Sequence, residues 1–306
     1  MKKSFHALAS LALAAAPLMS FADTNIGVAN SHAIDKFRAM LQESVTTYAK
    51  AKPGVVLSFE DAKEDPAKQL AQVKSLVDKK PGAIIVMPVN TTTAAMTDVS
   101  RKAGIPVVYL NNRPVEPLGD GTAYVGSDET MAGRMQGDVL AKKLDGKGTV
   151  FILKGPPDHN GAINRTKGLK AVLSGHPDMK VFGEEVGNWK RSEGQRIVAE
   201  LLKKGEMPSA IAANNDEMAL GAIDALTAAG GAATKILVVG VDATPDAMKA
   251  VKDGKMTATV LQNAKGQGRA ALDLALKMAA KEPVPKELMI PFELVVPENV
   301  DKYMAK

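Results

Sequence analysis

Strand and helix patterns alternate along most of this chain, and that alternation limits the fold more than any other feature. Residues 83–87 form a continuous apolar run, which is typical of a parallel strand buried on both faces. Before this run, apolar residues recur at Leu70, Val73 and Leu76, which is the spacing of one helix face. Successive parallel strands need such a crossover helix, and right-handed crossovers place helices on both faces of the sheet. Because the series runs twice over, we predict an α/β protein with two doubly wound domains of similar topology.

The first 22 residues have the three parts of a secretory signal peptide. Lys2 and Lys3 give a basic start, residues 7–19 are a short apolar run, and a small-residue cleavage site ends at Ala22. Such a run is too short for a membrane-spanning helix, and the absence of a twin arginine favours export of an unfolded chain. We therefore expect cleavage after Ala22 and a mature protein in the bacterial periplasm.

The charge and the cysteine content exclude several classes of function. The formal net charge of the 306 residues is +5, and the basic residues are spread along the chain. A nucleic-acid partner would need a clustered basic face, so none is expected. The chain has no cysteine, so it can form no disulfide and can carry no lipid on an N-terminal cysteine.

Polar side chains follow nearly every predicted strand. Asp242 comes directly after the apolar run 238–241, and Asn112 and Arg113 follow the strand that ends at Leu110. Ligands of open α/β sheets bind just outside the carboxyl ends of the strands. Carboxylates, amides and guanidinium groups at those ends can donate and accept hydrogen bonds as vicinal hydroxyls require. The strand ends therefore favour a site for a polyhydroxylated ligand.

Each of these side chains also has a purely structural explanation. Asn and Asp are favoured in turns, and Asn215 is placed to cap a helix. Phe37 lies on the apolar stripe of its helix, and Trp189 could be either a core residue or a platform for a ligand. Arg165 lies in the first turn of a helix, where a cation opposes the macrodipole, and this misfit favours a functional role. The joint pattern is more specific than any one of its members.

Two segments, 214–222 (NNDEMALGA) and 240–246 (GVDATPD), resemble the signature segments of periplasmic sugar-binding proteins of the ribose and glucose/galactose type. The segments 124–128 and 259–262 are similar as well, and the resemblance covers nearly all of the mature chain. It implies the type I periplasmic binding protein fold, in which two Rossmann-like domains are joined by a three-strand hinge. The implied lobes are residues 23–127 plus 263–290, and residues 128–262 plus 291–306.

The resemblance also implies how such a protein works. The two lobes close on one monosaccharide, and the closed form delivers it to an ATP-binding-cassette (ABC) permease, or in some members also to a chemoreceptor. We accordingly expect a monomer that has no catalytic activity and no cofactor.

The resemblance further implies a set of acidic, amide, basic and aromatic ligand contacts: Asp35, Phe37, Asn112, Arg113, His159, Arg165, Trp189, Asn215, Asp242 and Gln262. In this arrangement Phe37 and Trp189 flank the sugar ring. The chain departs from the family at Arg38, where ribose-type members have a second aromatic residue, and at Gly161, where galactose-type members have an acid. The acidic calcium loop of galactose-type members is missing from residues 144–148, so we expect no metal.

The identity of the ligand and one rival function stay open at this point. A hexopyranose or a cyclitol such as inositol is favoured over ribose by Asp35, Asn112, Arg113 and Trp189. Residues 291–295 are similar to inositol-type members. The alternative is an exported NAD-dependent oxidoreductase, because Gly266 and Gly268 belong to a G-x-G-x-x-A sequence between a strand and a helix. A sugar-responsive repressor would share the fold, but it would need an N-terminal helix-turn-helix where the signal peptide stands.

Overall fold

A computed structural model describes residues 23–32 and 35–304, so the predicted signal peptide lies outside the described residues. The strands are β1 (Thr24–Asn30), β2 (Val55–Asp61), β3 (Ala83–Val86), β4 (Val107–Leu110), β5 (Thr122–Gly126), β6 (Lys147–Lys154), β7 (Asp178–Val186), β8 (Ala210–Ala213), β9 (Leu237–Asp242), β10 (Ala258–Leu261), β11 (Glu287–Met289) and β12 (Glu293–Val295). The helices are α1 (Lys36–Lys50), α2 (Pro66–Asp78), α3 (Ala94–Lys102), α4 (Glu129–Lys143), α5 (Asn160–Leu173), α6 (Arg191–Lys203), α7 (Asp216–Ala229), α8 (Pro245–Lys252), α9 (Ala264–Ala279) and α10 (Val300–Met304).

The described strands form two six-stranded sheets with matching strand orders. The first sheet has the order β11-β5-β4-β3-β1-β2 and the second has the order β12-β10-β9-β8-β6-β7. Neighbouring strands are parallel, except that β12 runs antiparallel to β10 at the edge of the second sheet. The prediction of two doubly wound α/β domains is therefore confirmed.

The chain passes between the two sheets at three places. It leaves the first sheet after β5, returns after β10 through α9, and crosses again between β11 and β12. Helix α9 packs on α1 and on strands of the first sheet, although it follows the second sheet in sequence. Three short crossings allow one domain to rotate against the other as a hinge. The lobe boundaries given above stay a prediction.

Apolar cores lie on both faces of each sheet because the central strands are buried along their whole length. Every residue of β3 and β4 is buried, as expected for parallel strands covered by helices on both sides. Phe37 belongs to the core cluster between the first sheet and helices α1 and α9. Within the described residues, no helix is both long and apolar enough to cross a bilayer.

Two helices begin earlier than the apolar periodicity predicts, because side chains outside the periodic stripe cap them. Helix α5 begins at Asn160 rather than Ile163, since His159 Nδ1 accepts a hydrogen bond from the Gly161 amide at 3.1 Å. Helix α9 begins at Ala264 rather than Ala270, since Asn263 Oδ1 accepts from the Gly266 amide at 2.7 Å. Both caps satisfy backbone donors that a helix terminus leaves free.

The G-x-G-x-x-A sequence serves capping and helix packing. Its first glycine, Gly266, bonds to the cap of α9. A Cβ on Gly268 would lie 2.6 Å from Ser44 Oγ and 3.1 Å from the Leu41 carbonyl oxygen, so the glycine lets α9 approach α1 closely. The sequence is thus explained without a dinucleotide, and the oxidoreductase alternative finds no support in it.

Candidate functional site

A cavity, here called the cleft cavity, lies between the two domains. The first domain contributes charged, aromatic and amide side chains, and the second contributes basic, acidic, aromatic and amide side chains. The lining residues are Asp35, Phe37, Arg38, Asn111, His159, Arg165, Trp189, Asn215, Asp242 and Gln262. Eight of the ten residues predicted from the sequence therefore lie together.

The start of helix α1 presents three neighbouring side chains to the cleft cavity. Asp35 caps the helix, because its Oδ1 accepts a hydrogen bond from the Arg38 amide at 2.9 Å. Its second oxygen, Oδ2, lies 3.8 Å from Arg38 Nη1. Phe37 follows the cap and packs into the core while lining the cavity. One helix terminus thereby supplies an acceptor, an apolar ring and a cation.

Trp189 projects into the cleft cavity from a tight turn between β7 and α6. Asn188 and Trp189 both have positive φ angles, +51° and +64°, which non-glycine residues adopt at an energetic cost. A Cβ on Gly155 would lie 2.2 Å from the indole ring, so the glycine makes room for Trp189. The ring meets His159 edge to face, with the centroids 5.1 Å apart. Packing therefore fixes the orientation of the indole.

Arg165 is the centre of the hydrogen-bond network in the second domain. Its Nε donates to Glu129 Oε2 at 2.6 Å and its Nη1 donates to the Asn214 carbonyl oxygen at 2.6 Å. Its Nη2 donates to Gln262 Oε1 at 2.9 Å, and Nη1 lies 3.6 Å from Asp242 Oδ1. These contacts join the residue after β8, the last residue of β9 and the residue after β10, so Arg165 sets the mutual positions of three strand ends.

The buried charges near Arg165 shift one another's ionisation. Burial lowers the pKa of Arg165, but the carboxylates of Glu129 and Asp242 outweigh that effect and raise it. Burial raises the pKa of Asp242 well above its usual value, although Arg165 opposes the shift. Asp242 also has a φ angle of +122°. A carboxyl group held in this costly way beside a cavity is a candidate functional position.

His159 is held in its neutral form at the boundary of the two domains. Burial, together with the guanidinium groups of Arg38 and Arg165, lowers its pKa well below the usual value. A second cavity, here called the rim cavity, adjoins this region and shares Arg38, His159 and Trp189 with the cleft cavity. These three side chains therefore form the wall between the two cavities.

Two predicted contacts, Asn112 and Arg113, do not line the cleft cavity. Asn112 Nδ2 donates to the Pro88 carbonyl oxygen at 3.3 Å, and its Oδ1 accepts from the Asn160 amide of the other domain at 3.3 Å. Arg113 is 39% exposed and forms an ion pair with Glu287. The reason is the backbone after β4: Asn111 takes a φ angle of +72° and occupies the cavity wall itself.

Sequence reasoning also missed residues that shape the site. Arg38 and Asn111 line the cleft cavity, and Glu129 and Asp216 support it from buried positions. Arg38 carried a usable signal, because a cation in the first turn of a helix opposes the macrodipole. The same argument was wrong for Arg165, which lies in the second turn because α5 begins at Asn160. Glu129 and Asp216 carried none, since acids are ordinary in a first helical turn.

Asp216 gives the protein a pH dependence that can be measured. The carboxylate accepts hydrogen bonds from the Thr244 amide at 2.8 Å and from Thr259 Oγ1 at 2.6 Å. Burial outweighs these bonds and raises the pKa of Asp216 to about 7 from the ordinary value of 3.8. Between these two values the folded state binds a proton that the unfolded state has lost. Folding stability therefore falls by about 1.4 kcal/mol per pH unit as the pH rises through this window.

We expect the folding stability of Asp216→Asn to fall less steeply with rising pH than that of wild type. Asparagine can accept from the Thr244 amide and donate to Thr259 Oγ1, so both contacts survive without a charge. Melting temperatures measured between pH 4.5 and 8 should fall more steeply for the wild type than for Asp216→Asn, by several degrees in total. Asp224→Asn on the same helix is the control and should follow the wild type. Parallel curves for wild type and Asp216→Asn would show that Asp216 ionises normally.

Comparison with known proteins identifies the family to which the chain belongs. Residues 26–283 match the family model described as periplasmic binding protein domain. The chain belongs to the periplasmic binding protein family. A protein of Rhizobium meliloti named for rhizopine binding is 38% identical over 303 residues, which is 97% of this chain and 98% of the relative. The ribose import binding protein of Salmonella typhimurium is 32% identical and aligns with 80% of this chain and 81% of its own.

Solved periplasmic binding proteins share the fold. An ABC transporter solute-binding protein of Bacillus halodurans with bound myo-inositol superposes with a TM-score of 0.88 at 38% identity, covering 93% of this chain and 98% of its own. The predicted family is therefore confirmed, and these relatives are binding proteins rather than enzymes. The NAD-dependent alternative gains nothing from them. Members of such a family work in the periplasm.

Proposed function

We propose that this periplasmic binding protein captures one neutral polyol ring, an inositol or a hexopyranose, in the cleft cavity and delivers it to an ABC permease. The observation that carries the proposal is the convergence of carboxylate, guanidinium and amide groups from both domains on one cavity. The myo-inositol bound by the Bacillus halodurans relative supports a six-membered ring.

The chemistry of the lining suits a ring that carries many hydroxyls. Asp35 and Asp242 can accept hydrogen bonds from ligand hydroxyls, while Arg165 and the amides of Asn215 and Gln262 can donate hydrogen bonds to them. Hydrogen bonds to charged groups contribute about 1.5–3 kcal/mol each. A ligand that lacks one hydroxyl leaves a buried polar group unpaired, so such a site discriminates strongly between polyols. Phe37 supplies an apolar surface for the C–H faces of the ring, and Trp189 supplies the opposite one.

Binding and closure are coupled in this proposal. Phe37 and Asp35 belong to the first domain, whereas Arg165, Trp189 and Asp242 belong to the second. A ligand that contacts both groups stabilises the closed arrangement and shifts the hinge equilibrium toward it. The permease would then recognise the closed surface, as would a chemoreceptor where one exists.

A binding role without catalysis is also favoured by the state of the titratable groups. The Arg165 guanidinium is engaged by Glu129, Asn214 and Gln262. His159 Nδ1 is engaged by the Gly161 amide, so that nitrogen is not available as a general base. The contacts of Arg165 and of His159 Nδ1 therefore favour holding hydroxyls over moving protons.

Calorimetric titration of purified residues 23–306 tests the proposal. We expect micromolar or tighter binding of at least one compound among myo-inositol, scyllo-inositol, glucose and galactose, and at least tenfold weaker binding of ribose. NAD should give no heat of binding. The absence of binding by every neutral polyol in the panel would overturn the proposal, and saturable binding of NAD would revive the oxidoreductase alternative.

A further inference from the structure

Arg38 and His159 meet across the boundary of the two domains. Arg38 lies in the first turn of α1, and His159 caps α5 in the second domain. Arg38 Nη2 is 3.2 Å from His159 Nε2, and both side chains are buried. The pair lines the cleft cavity and forms part of its wall toward the rim cavity. A ligand in the cleft cavity would therefore lie beside this pair.

The protons of this pair are in conflict. His159 Nδ1 accepts a hydrogen bond from the Gly161 amide, so it carries no proton. A neutral imidazole with a bare Nδ1 carries its proton on Nε2. The guanidinium of Arg38 has donors only, so two N–H groups face each other at the domain boundary. In the other neutral tautomer, the proton on Nδ1 would face the N–H of Gly161 instead. In the protonated ring, both nitrogens would carry a proton that faces another donor.

We propose that one ligand hydroxyl enters between Arg38 and His159 and resolves this conflict. A hydroxyl oxygen accepts two hydrogen bonds and donates one. It would accept from Arg38 and from the Nε2–H of His159, and it would donate to Asp35 Oδ2, which lies 3.8 Å from Arg38 Nη1. The inference rests on the proposed polyol binding and makes Arg38 and His159 the residues that select this hydroxyl.

The charges around the pair exclude other ligand groups. A carboxylate or phosphate oxygen has no proton for Asp35 and would add a negative charge beside it. An ammonium group has three donors and no acceptor, so it would repeat the conflict. Only a group that both accepts and donates satisfies all three side chains. The ligand is therefore a neutral polyol at this position.

Monodeoxy analogues of the best-binding polyol test the inference with three proteins: wild type, Arg38→Met and His159→Asn. Asparagine at 159 retains a capping oxygen for α5 while removing Nε2. We expect each variant to bind the parent polyol at least tenfold more weakly than wild type. One monodeoxy analogue should bind wild type at least tenfold more weakly than the parent polyol does. In either variant, the same analogue should bind less than twofold more weakly than the parent polyol. Arg101→Met, an exposed arginine of the first domain, is the control and should bind like wild type.

The outcomes separate this inference from the proposed function. Failure of wild type to bind any polyol would contradict the proposed function itself. If Arg38→Met binds the parent polyol as tightly as wild type does, the hydroxyl is not held by this pair. The same conclusion follows if both variants discriminate against every monodeoxy analogue as strongly as wild type does. Histidine ¹⁵N spectra of wild type with bound polyol give an independent check, since His159 should carry its proton on Nε2. A proton on Nδ1 would overturn the assignment.

Discussion

Replacing Arg165 with methionine should lower the free energy of unfolding by about 3–5 kcal/mol and abolish polyol binding. Methionine fills much of the same volume but leaves Glu129 and Asp242 buried without the cation that pairs with them. Removing one partner of a buried ion pair is costly because the other charge stays desolvated. The change also frees Gln262 and the Asn214 carbonyl, so three strand ends lose their common anchor. Chemical denaturation and calorimetric titration measure the two effects.

Two further variants show whether the lost cation is the cause. Arg196→Met removes an exposed arginine that pairs with Glu193 and Glu200, and it should change stability by no more than about 0.5 kcal/mol. The double variant Arg165→Met with Glu129→Gln should recover part of the lost stability but no binding, because one unpaired charge is gone. An Arg165→Met protein that unfolds like wild type would show that the network stabilises little.

Replacing Asp242 with asparagine should weaken polyol binding by about 10- to 150-fold while leaving the fold as stable or more stable. The affinity falls because a charged acceptor that contributes about 1.5–3 kcal/mol is lost. Stability is retained because burial already disfavours the carboxylate, as the raised pKa of Asp242 shows. Since folding favours the protonated form of such a group, the gain should appear at neutral pH and vanish in acid. A binding residue of this kind lowers stability in exchange for function.

Asp246→Asn, four positions later on the exposed face of α8, is the matched control. It should bind polyols with wild-type affinity. Its free energy of unfolding should lie within about 1 kcal/mol of the wild-type value, which is the size of the interaction between a first-turn charge and the helix dipole. Melting curves at pH 5 and pH 7.5 with titrations at neutral pH test both variants. Wild-type affinity in Asp242→Asn would remove Asp242 from the site, and a marked loss of stability would contradict the burial argument.

The fold could be predicted from the sequence because its signals are local. A continuous apolar run such as 83–87 corresponds to β3, and strands of this kind alternate with helical stripes without long interruptions. The first residues of the helices were harder to predict from the sequence. Histidine is an unusual N-cap, so the start of α5 at Asn160 could not be recognised from residue preferences.

The site could be predicted only as far as strand ends determine it. Asp242 ends β9, Gln262 directly follows β10, and both line the cleft cavity. Arg113 follows a strand too, but its side chain pairs with Glu287, 174 residues later, and no local pattern contains that contact. Whether Asn111 or Asn112 faces the cavity depends on one positive φ angle. Side-chain direction after a strand is thus the information that the sequence pattern lacked.

The distance between the two domains, measured with and without ligand, tests the central claim most directly. The chain has no cysteine, so spin labels can be attached at Lys68→Cys and Ser192→Cys alone. Both positions are exposed, in the first turns of α2 and α6, near Pro66 and Lys190 of the rim cavity. Pulsed electron paramagnetic resonance should show a shorter and narrower distance distribution when the polyol binds. A distribution that stays unchanged at saturating polyol would contradict the account, because the ligand would then not bridge the two domains.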